Sequence, residues 1–264
     1  MEDRTHTPVR TVFCATDFSE NAKLAQDHAA GLARRHGARL VLGHVIEPIP
    51  VAPYPLLVAT NDGERAIREF ATERMAELVA AAGSADLEVE SMLATGAPGY
   101  ELIGLAEQAK ADVFVIGTRG LTGFEHLLFG STAEHVVRCA TCPVLTIHPG
   151  DVFRTESMET VIVPTDLSDG AGVAVDAFVS VFEPGHRPKV LLAFADPTPA
   201  YLEASLHASL EAWHEPDLRK EEIEVRMAPL VTKLRDEGFA VETVILDGGP
   251  VRVPSSRFAC RKPC

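Results

Sequence analysis

Long hydrophobic runs are missing from this 264-residue sequence. Its apolar stretches, such as residues 113–116, are far shorter than the roughly 20 residues that a membrane-spanning helix needs. The polar segment from Met1 to Pro8 also has no apolar stretch of the kind that a secretory signal carries. These absences predict that the protein has no membrane partner and resides in the cytoplasm.

Cysteine and positive charge are both scarce. Five cysteines, an odd number spread along the chain, do not suit a disulfide framework. The 24 lysines and arginines face 38 aspartates and glutamates, which gives a formal net charge of −14. Because an acidic chain repels a phosphate backbone, we expect no nucleic-acid partner. At 46% hydrophobic and 23% charged residues, the composition is that of an ordinary globular protein.

An internal repeat organises the chain. Residues 11–19 match residues 161–168, so that Asp17 corresponds to Asp166. Residues 41–45 match residues 190–194, and residues 92–98 resemble residues 244–250. We therefore predict two tandem domains, 1–150 and 151–264. The second copy ends after its third strand, and its tail, residues 251–264, shows no usable period and is expected to be disordered.

The first copy alternates short apolar runs with longer Ala-rich segments of helical period. The apolar runs, 11–15, 40–45, 87–93, 113–116 and 144–147, are predicted to be strands. The segments 21–36, 65–82, 100–110 and 132–139 are predicted to be helices. Strands that are apolar throughout are typical of a parallel sheet covered on both faces, so the predicted class is α/β, doubly wound.

One glycine-rich segment follows the fourth predicted strand. Gly117 and Gly120 allow a ligand to approach the backbone closely, and Gly130, Ser131 and Thr132 begin the next helix, whose free amides favour an anion. A strand, a glycine loop and a helix start together predict a phosphate cradle. The sequence contains neither GxxxxGK[ST] nor GxGxxG, which disfavours a P-loop ATPase or a Rossmann dehydrogenase.

The spacing Gly-x2-Gly-x9-Gly-Ser resembles the nucleotide-binding signature of the universal stress protein family. Residues 16–19, the pair His44-Val45 and residues 142–147 are similar to other segments of that family. The resemblance covers the whole first copy. In the second copy it extends only to Pro250, without the glycine cradle.

The resemblance implies an adenine nucleotide α-hydrolase-like fold, with sheet order 3-2-1-4-5 in each copy and the second copy incomplete. It also implies ATP with Mg²⁺ at the carboxyl ends of strands 1 and 4, where strand order reverses. Asp17 would lie near the ribose and adenine, and the backbone of Val45 would bond the adenine edge. The ribose and phosphates would be held by Gly117, Gly120, Gly130, Ser131 and Thr132, with added charge from Arg119.

Three functions remain open at this stage. The leading hypothesis is a nucleotide-dependent stress-response switch with one ATP site, in the first domain, and an unknown protein partner. The second is a slow ATPase or nucleotidyl-transfer enzyme, although the sequence shows no nucleophile and base at readable spacing and we assign no catalytic residue. The third is a non-nucleotide interaction module.

Two further expectations concern contacts rather than chemistry. In the family the fifth strand commonly pairs across a dimer, so the resemblance implies a homodimer through Val144–Ile147. Cys139 and Cys142 form a CxxC pair, but no second pair of suitable spacing accompanies them. We therefore interpret these two cysteines as packing residues and assign no metal ligand.

Overall fold

The computed structural model describes residues 9–48, 61–83, 86–118, 130–149, 159–182, 187–196 and 216–247. The chain divides into two compact units, Met1–Phe153 and Arg154–Cys264. Across the described ranges, no helix is both long and apolar enough to cross a membrane.

The first unit is a five-stranded parallel sheet with two helices on each face. The strand order is β3-β2-β1-β4-β5, which confirms the predicted order. Its strands are β1 (Thr11–Ala15), β2 (Arg39–Ile46), β3 (Val89–Thr95), β4 (Val113–Gly117) and β5 (Val144–Ile147). Its helices are α1 (Glu20–His36), α2 (Asn61–Ala82), α3 (Pro98–Ala109) and α4 (Ser131–Cys139).

The central strands are apolar throughout because helices cover both faces of the sheet. Every residue of β1 is buried, and so are Val113 to Ile116 of β4. On one face Phe13 and Phe114 pack with their ring centroids 4.9 Å apart, against buried residues of α3 and α4. The alternating residues Val12 and Cys14 are equally buried on the other face.

The direction of the chain crossovers reverses between β1 and β4. From β1 the chain moves through β2 to the β3 edge, and then crosses to β4 and β5 on the other side. At such a reversal the two connecting segments leave the sheet in opposite directions and open a crevice at the carboxyl ends of the strands. The fold therefore places the ends of β1 and β4 at the position where doubly wound sheets bind ligands.

The second unit contains a smaller parallel sheet of order β6-β7-β8 in its described residues. Its elements are β6 (Thr160–Thr165), α5 (Ala171–Ser180), β7 (Lys189–Asp196), α6 (Pro216–Asp236) and β8 (Val241–Asp247). Its core includes Val175, Leu192 and Met227. A second sheet of three parallel strands is therefore present, and its being an incomplete second copy stays a prediction.

One detail of the predicted repeat is wrong. The sequence match aligned Val41 with Val190, yet in the first sheet Phe13 pairs with Val41, whereas in the second sheet Ile162 pairs with Leu191. The correct alignment is therefore displaced by one residue on this strand. An apolar strand of similar residues matches almost equally well in both registers, so only strand pairing distinguishes them.

Replacing Phe13 with Ala should lower the free energy of unfolding by about 3–5 kcal/mol, because it leaves a cavity beside Phe114. Phe70 on α2 is 59% exposed, so Phe70→Ala is the matched control and should change stability by no more than about 0.5 kcal/mol. Urea denaturation followed by circular dichroism measures both. Equal losses in the two variants would contradict this description of the core.

Candidate functional site at the carboxyl ends of strands 1 and 4

A tight turn joins β1 to α1 and carries Asp17. The Asp17 carboxylate (Oδ1) accepts a hydrogen bond of 3.0 Å from the Ser19 amide, and Thr16 Oγ1 accepts one of 3.1 Å from the Phe18 amide. Phe18 takes a left-handed backbone conformation, with φ of 66°. Ser19 then caps α1, since its hydroxyl accepts from the Ala22 amide at 3.1 Å.

Two side chains from other elements hold this turn at Thr16. Gln26 of α1 donates from Nε2 to Thr16 Oγ1 at 2.7 Å. The Nδ1 atom of His44, on β2, lies 2.8 Å from the carbonyl oxygen of Thr16. Sequence reasoning missed Gln26 altogether, because a glutamine in an Ala-rich helix carries no signal that it is buried.

The end of β4 lies directly against the start of α1. A Cβ atom on Gly117 would stand 2.6 Å from Asn21 Nδ2, so any other residue at this position would force Asn21 to move. Thr118, the next residue, is buried, and its carbonyl accepts a 2.8 Å bond from the amide of Gly130. The residues on either side of segment 119–129 are thus brought together, beside the turn that carries Asp17.

Helix α4 begins at this point, and no described side chain caps its first amides. Its N-cap is Gly130, which has no side chain to accept a hydrogen bond, and within the described residues no other side chain caps it. The first amides of a helix have no intrahelical partner and carry the positive end of the helix dipole. Ser131 is exposed and Thr132 half-buried. Arg119 and Gly120, which were predicted to join this site, lie outside the described residues.

Val45 lies near the end of β2, in the part of this strand that extends past the carboxyl end of the neighbouring β1. Ala15 pairs with Gly43, and the carbonyl of Gly43 accepts from the amide of Thr16. Because backbone groups alternate between the two neighbouring strands, the amide and carbonyl of Val45 face the β1 side, level with the Asp17 turn. The Val45 side chain itself is buried in the core.

Among the described residues there is no group of three or more histidine, cysteine or acidic side chains that could hold an ion. In its described part, the site offers the Asp17 carboxylate, backbone amides and the N-terminus of α4. This combination suits an anionic ligand that also carries hydroxyl or amine donors.

The second unit repeats the turn but not the cradle. Thr165 Oγ1 accepts from the Leu167 amide at 3.1 Å, Asp166 accepts from the Ser168 amide at 2.9 Å, and Leu167 has φ of 57°. The backbone amide and hydroxyl of Ser168 lower the pKa of Asp166. In its described residues, this unit has no counterpart of β4 or of the start of α4.

Of the described cysteines, Cys14 lies one residue before the end of β1, whereas Cys139 and Cys142 lie at the end of α4 and before the start of β5. Cys14 is wholly buried, and that burial raises the pKa of its thiol. Burial also raises the pKa of Cys142, and the carboxylates of Asp112 and Glu107 raise it further. Cys142 packs against the core near the start of β5, as interpreted. Cys139 is exposed at the end of α4, so the interpretation as a packing residue is wrong for Cys139.

The model of the universal stress protein family matches residues 8–148. The chain belongs to the universal stress protein family. This finding confirms the resemblance on which the site residues were selected.

Individual relatives match one or both parts of the chain. A universal stress protein of Thermus aquaticus is 36% identical over 143 residues, which cover 52% of this chain and 98% of the relative. A universal stress protein structure from Archaeoglobus fulgidus, 18% identical, superposes with a TM-score of 0.65 and covers 94% of this chain and 80% of its own. That likeness extends the shared fold to most of the chain.

Another solved universal stress protein from Archaeoglobus fulgidus is in complex with dAMP. It is 25% identical, with a TM-score of 0.39, and covers 53% of this chain and 98% of its own.

The close approach at Gly117 makes a direct prediction about stability. Gly117→Ala should lower the free energy of unfolding by about 1–3 kcal/mol, because the new methyl group must displace Asn21. Gly104, on the exposed side of α3, has no atom within 4 Å of the position a methyl group would take, so Gly104→Ala should instead be neutral or stabilise by about 0.5–1 kcal/mol. Thermal and urea unfolding of the two variants would measure the difference. Equal effects at the two positions would contradict the geometry at Gly117.

Proposed function

We propose that this protein binds one adenine nucleotide, ATP with Mg²⁺, at the carboxyl edge of its first sheet, and that the bound nucleotide acts as a switch in a stress response. The observation that carries the proposal is the meeting of two features at one crevice. The turn with Asp17 and the uncapped start of α4 lie together where strand order reverses, because Gly117 contacts Asn21 and Thr118 bonds Gly130.

The start of α4 supports binding of the phosphates. The amides of Ser131 and Thr132 point out of the helix end, and a phosphate there gains both hydrogen bonds and the favourable helix dipole. Gly117 lies at the end of β4 against Asn21, which keeps the start of α1 close to this strand end. Gly120 and Arg119 belong to the segment between these two points and complete the proposed phosphate contacts.

The turn after β1 supports binding of the nucleoside. The Asp17 carboxylate is half-buried, and as an acceptor it suits the hydroxyl groups of a ribose. The backbone of Val45 presents a donor and an acceptor on the same side, as the edge of an adenine requires. Because the described residues contain no metal cluster, Mg²⁺ would be held mainly by the phosphate oxygens of the nucleotide.

A switch needs a ligand that contacts two parts of the chain at once. A nucleotide held by both Gly117 and Ser131 would bridge the two ends of the segment 119–129. Its binding would then favour one conformation of that segment, which a protein partner could distinguish.

Titration calorimetry with Mg-ATP tests the site, and the equivalent aspartate of the second unit provides the control variant. Asp17→Ala should weaken binding by about tenfold or more, because it removes a charged acceptor from the nucleoside. Asp166→Ala removes the equivalent carboxylate from the second unit and should leave affinity and stoichiometry unchanged.

The titration should give about one nucleotide per chain after bound nucleotide has been stripped, and dAMP serves as a second probe. Absence of binding by the stripped wild-type chain would contradict the proposal. Equal weakening by Asp17→Ala and Asp166→Ala would place the nucleotide elsewhere.

We also propose that the protein forms a homodimer through the edge strand β5. The carbonyls of Pro143 and Ile147 accept hydrogen bonds from the amides of Phe114 and Thr118, so by alternation the backbone of Thr146 faces outward. An outward row of amides and carbonyls is a template for pairing with a second chain.

We propose in addition that the second unit, 151–264, is a partial universal stress protein domain without a nucleotide site.

Thr146→Pro should abolish the dimer, because proline removes an outward-facing amide and leaves the bonds between β5 and β4 in place. Thr146→Val keeps the amide and should remain dimeric. Sedimentation equilibrium over a range of concentrations measures both. A wild-type mass that stays monomeric at every concentration would contradict the proposal.

A further inference from the structure

The chain contains two copies of the same turn, and their internal hydrogen bonds are alike. In each copy a threonine hydroxyl accepts from the amide two residues later, and an aspartate accepts from the amide two residues after it. Phe18 and Leu167 both take left-handed conformations. An arginine lies near each turn, since Arg74 is 6.0 Å from the Phe18 ring and Arg226 donates to the Leu167 carbonyl at 3.2 Å.

The first turn has two additional hydrogen bonds, both to Thr16, the residue before Asp17. The donors are Gln26 Nε2, at 2.7 Å from the Thr16 hydroxyl, and His44 Nδ1, at 2.8 Å from the Thr16 carbonyl. Because a carbonyl oxygen only accepts, the His44 ring must carry its proton on Nδ1. The same ring stacks on Phe18, with the centroids 4.3 Å apart.

The second unit has apolar residues at both positions. Val175 stands as far along the chain from Ser168 as Gln26 does from Ser19, and it is buried. Because α5 begins two residues later relative to its turn serine than α1 does, Ala177 is the counterpart when counted from the helix N-cap, and it is also apolar. Thr165 pairs with Phe194, which is therefore the equivalent of His44. None of these apolar side chains can donate a hydrogen bond, yet the second turn forms the same two internal hydrogen bonds. Gln26 and His44 are therefore not required for the turn to form.

Burying a polar group is unfavourable unless it is hydrogen-bonded. Here the two donors, from Gln26 and His44, both bond Thr16. Thr16 is 6% exposed and directly precedes Asp17, so restraining its carbonyl and its hydroxyl restrains the backbone from which the Asp17 carboxylate extends. These bonds occur in the unit that has the phosphate cradle. Restricting a binding group to its bound position before the ligand arrives increases affinity by reducing the ordering cost.

We propose that Gln26 and His44 are positioning residues that hold the Asp17 turn in its nucleotide-binding geometry. This inference rests on the proposed function, since it assigns the nucleotide as the ligand that the turn contacts. Neither residue is proposed to touch the nucleotide. Their effect on binding passes through Thr16 and Asp17.

The test exchanges each residue for its counterpart in the second unit. His44→Phe keeps an aromatic ring against Phe18 but removes the donor, and Gln26→Val removes the other donor. His44→Asn is the conservative variant, because its amide can replace Nδ1 as a donor to the Thr16 carbonyl although the ring is lost. Calorimetry with Mg-ATP should show Kd raised about tenfold in His44→Phe and in Gln26→Val, and within about threefold of wild type in His44→Asn.

Amide hydrogen exchange without nucleotide gives a second readout, with the second unit as an internal reference. After correction for intrinsic rates, the Phe18 and Ser19 amides of the wild-type chain should exchange about tenfold more slowly than those of Leu167 and Ser168. In the double variant Gln26→Val/His44→Phe this difference should disappear. Exchange at Leu167 and Ser168 should not change.

The outcomes separate this inference from the proposed function. If the wild-type chain binds no adenine nucleotide, the proposed function fails and the positioning role fails with it. If the wild-type chain binds and both donor-free variants bind equally well, only the positioning role is overturned. The role is also overturned if His44→Asn weakens binding as much as His44→Phe, or if exchange at Phe18 and Ser19 is the same in the double variant as in the wild type.

Discussion

The pairing of β1 with β4 is the interaction on which the rest of the first unit depends. Val12 pairs with Val113, and Phe13 with Phe114, so two fully apolar strands lie side by side at the centre of the sheet. Such strands are stable only when helices cover both faces, and the crossovers that supply those helices must leave in opposite directions. The same pairing therefore organises the core and opens the crevice above it.

The described part of this crevice is made mostly of backbone. The Asp17 turn is closed by its own side-chain hydrogen bonds, Gly117 lies against the start of α1, and no described side chain caps the first amides of α4. Exposed amides and a carboxylate at one crevice are the groups on which the proposed nucleotide site rests.

Sequence patterns predicted most of the fold, because strands buried on both faces have a continuous apolar signature. The bounds of β1 and β5 were predicted to the residue, and strand order followed from the family resemblance. Sequence patterns also predicted a helix start close to Ser131 after the buried strand that ends at Gly117, and the phosphate cradle between these two points stays a prediction. Two features were not predictable: the hydrogen bond of Gln26 to Thr16 depends on tertiary packing, and the register of β7 depends on pairing that similar apolar residues do not specify.

A crystal structure of the protein with Mg-ATP tests the central claim most directly. The account predicts the phosphates at the amides of Ser131 and Thr132, the ribose beside Asp17 and the adenine edge at the backbone of Val45. It also predicts that the turn at Asp166 remains empty. A nucleotide bound at Asp166, or elsewhere on the chain with the crevice between β1 and β4 unfilled, would contradict it.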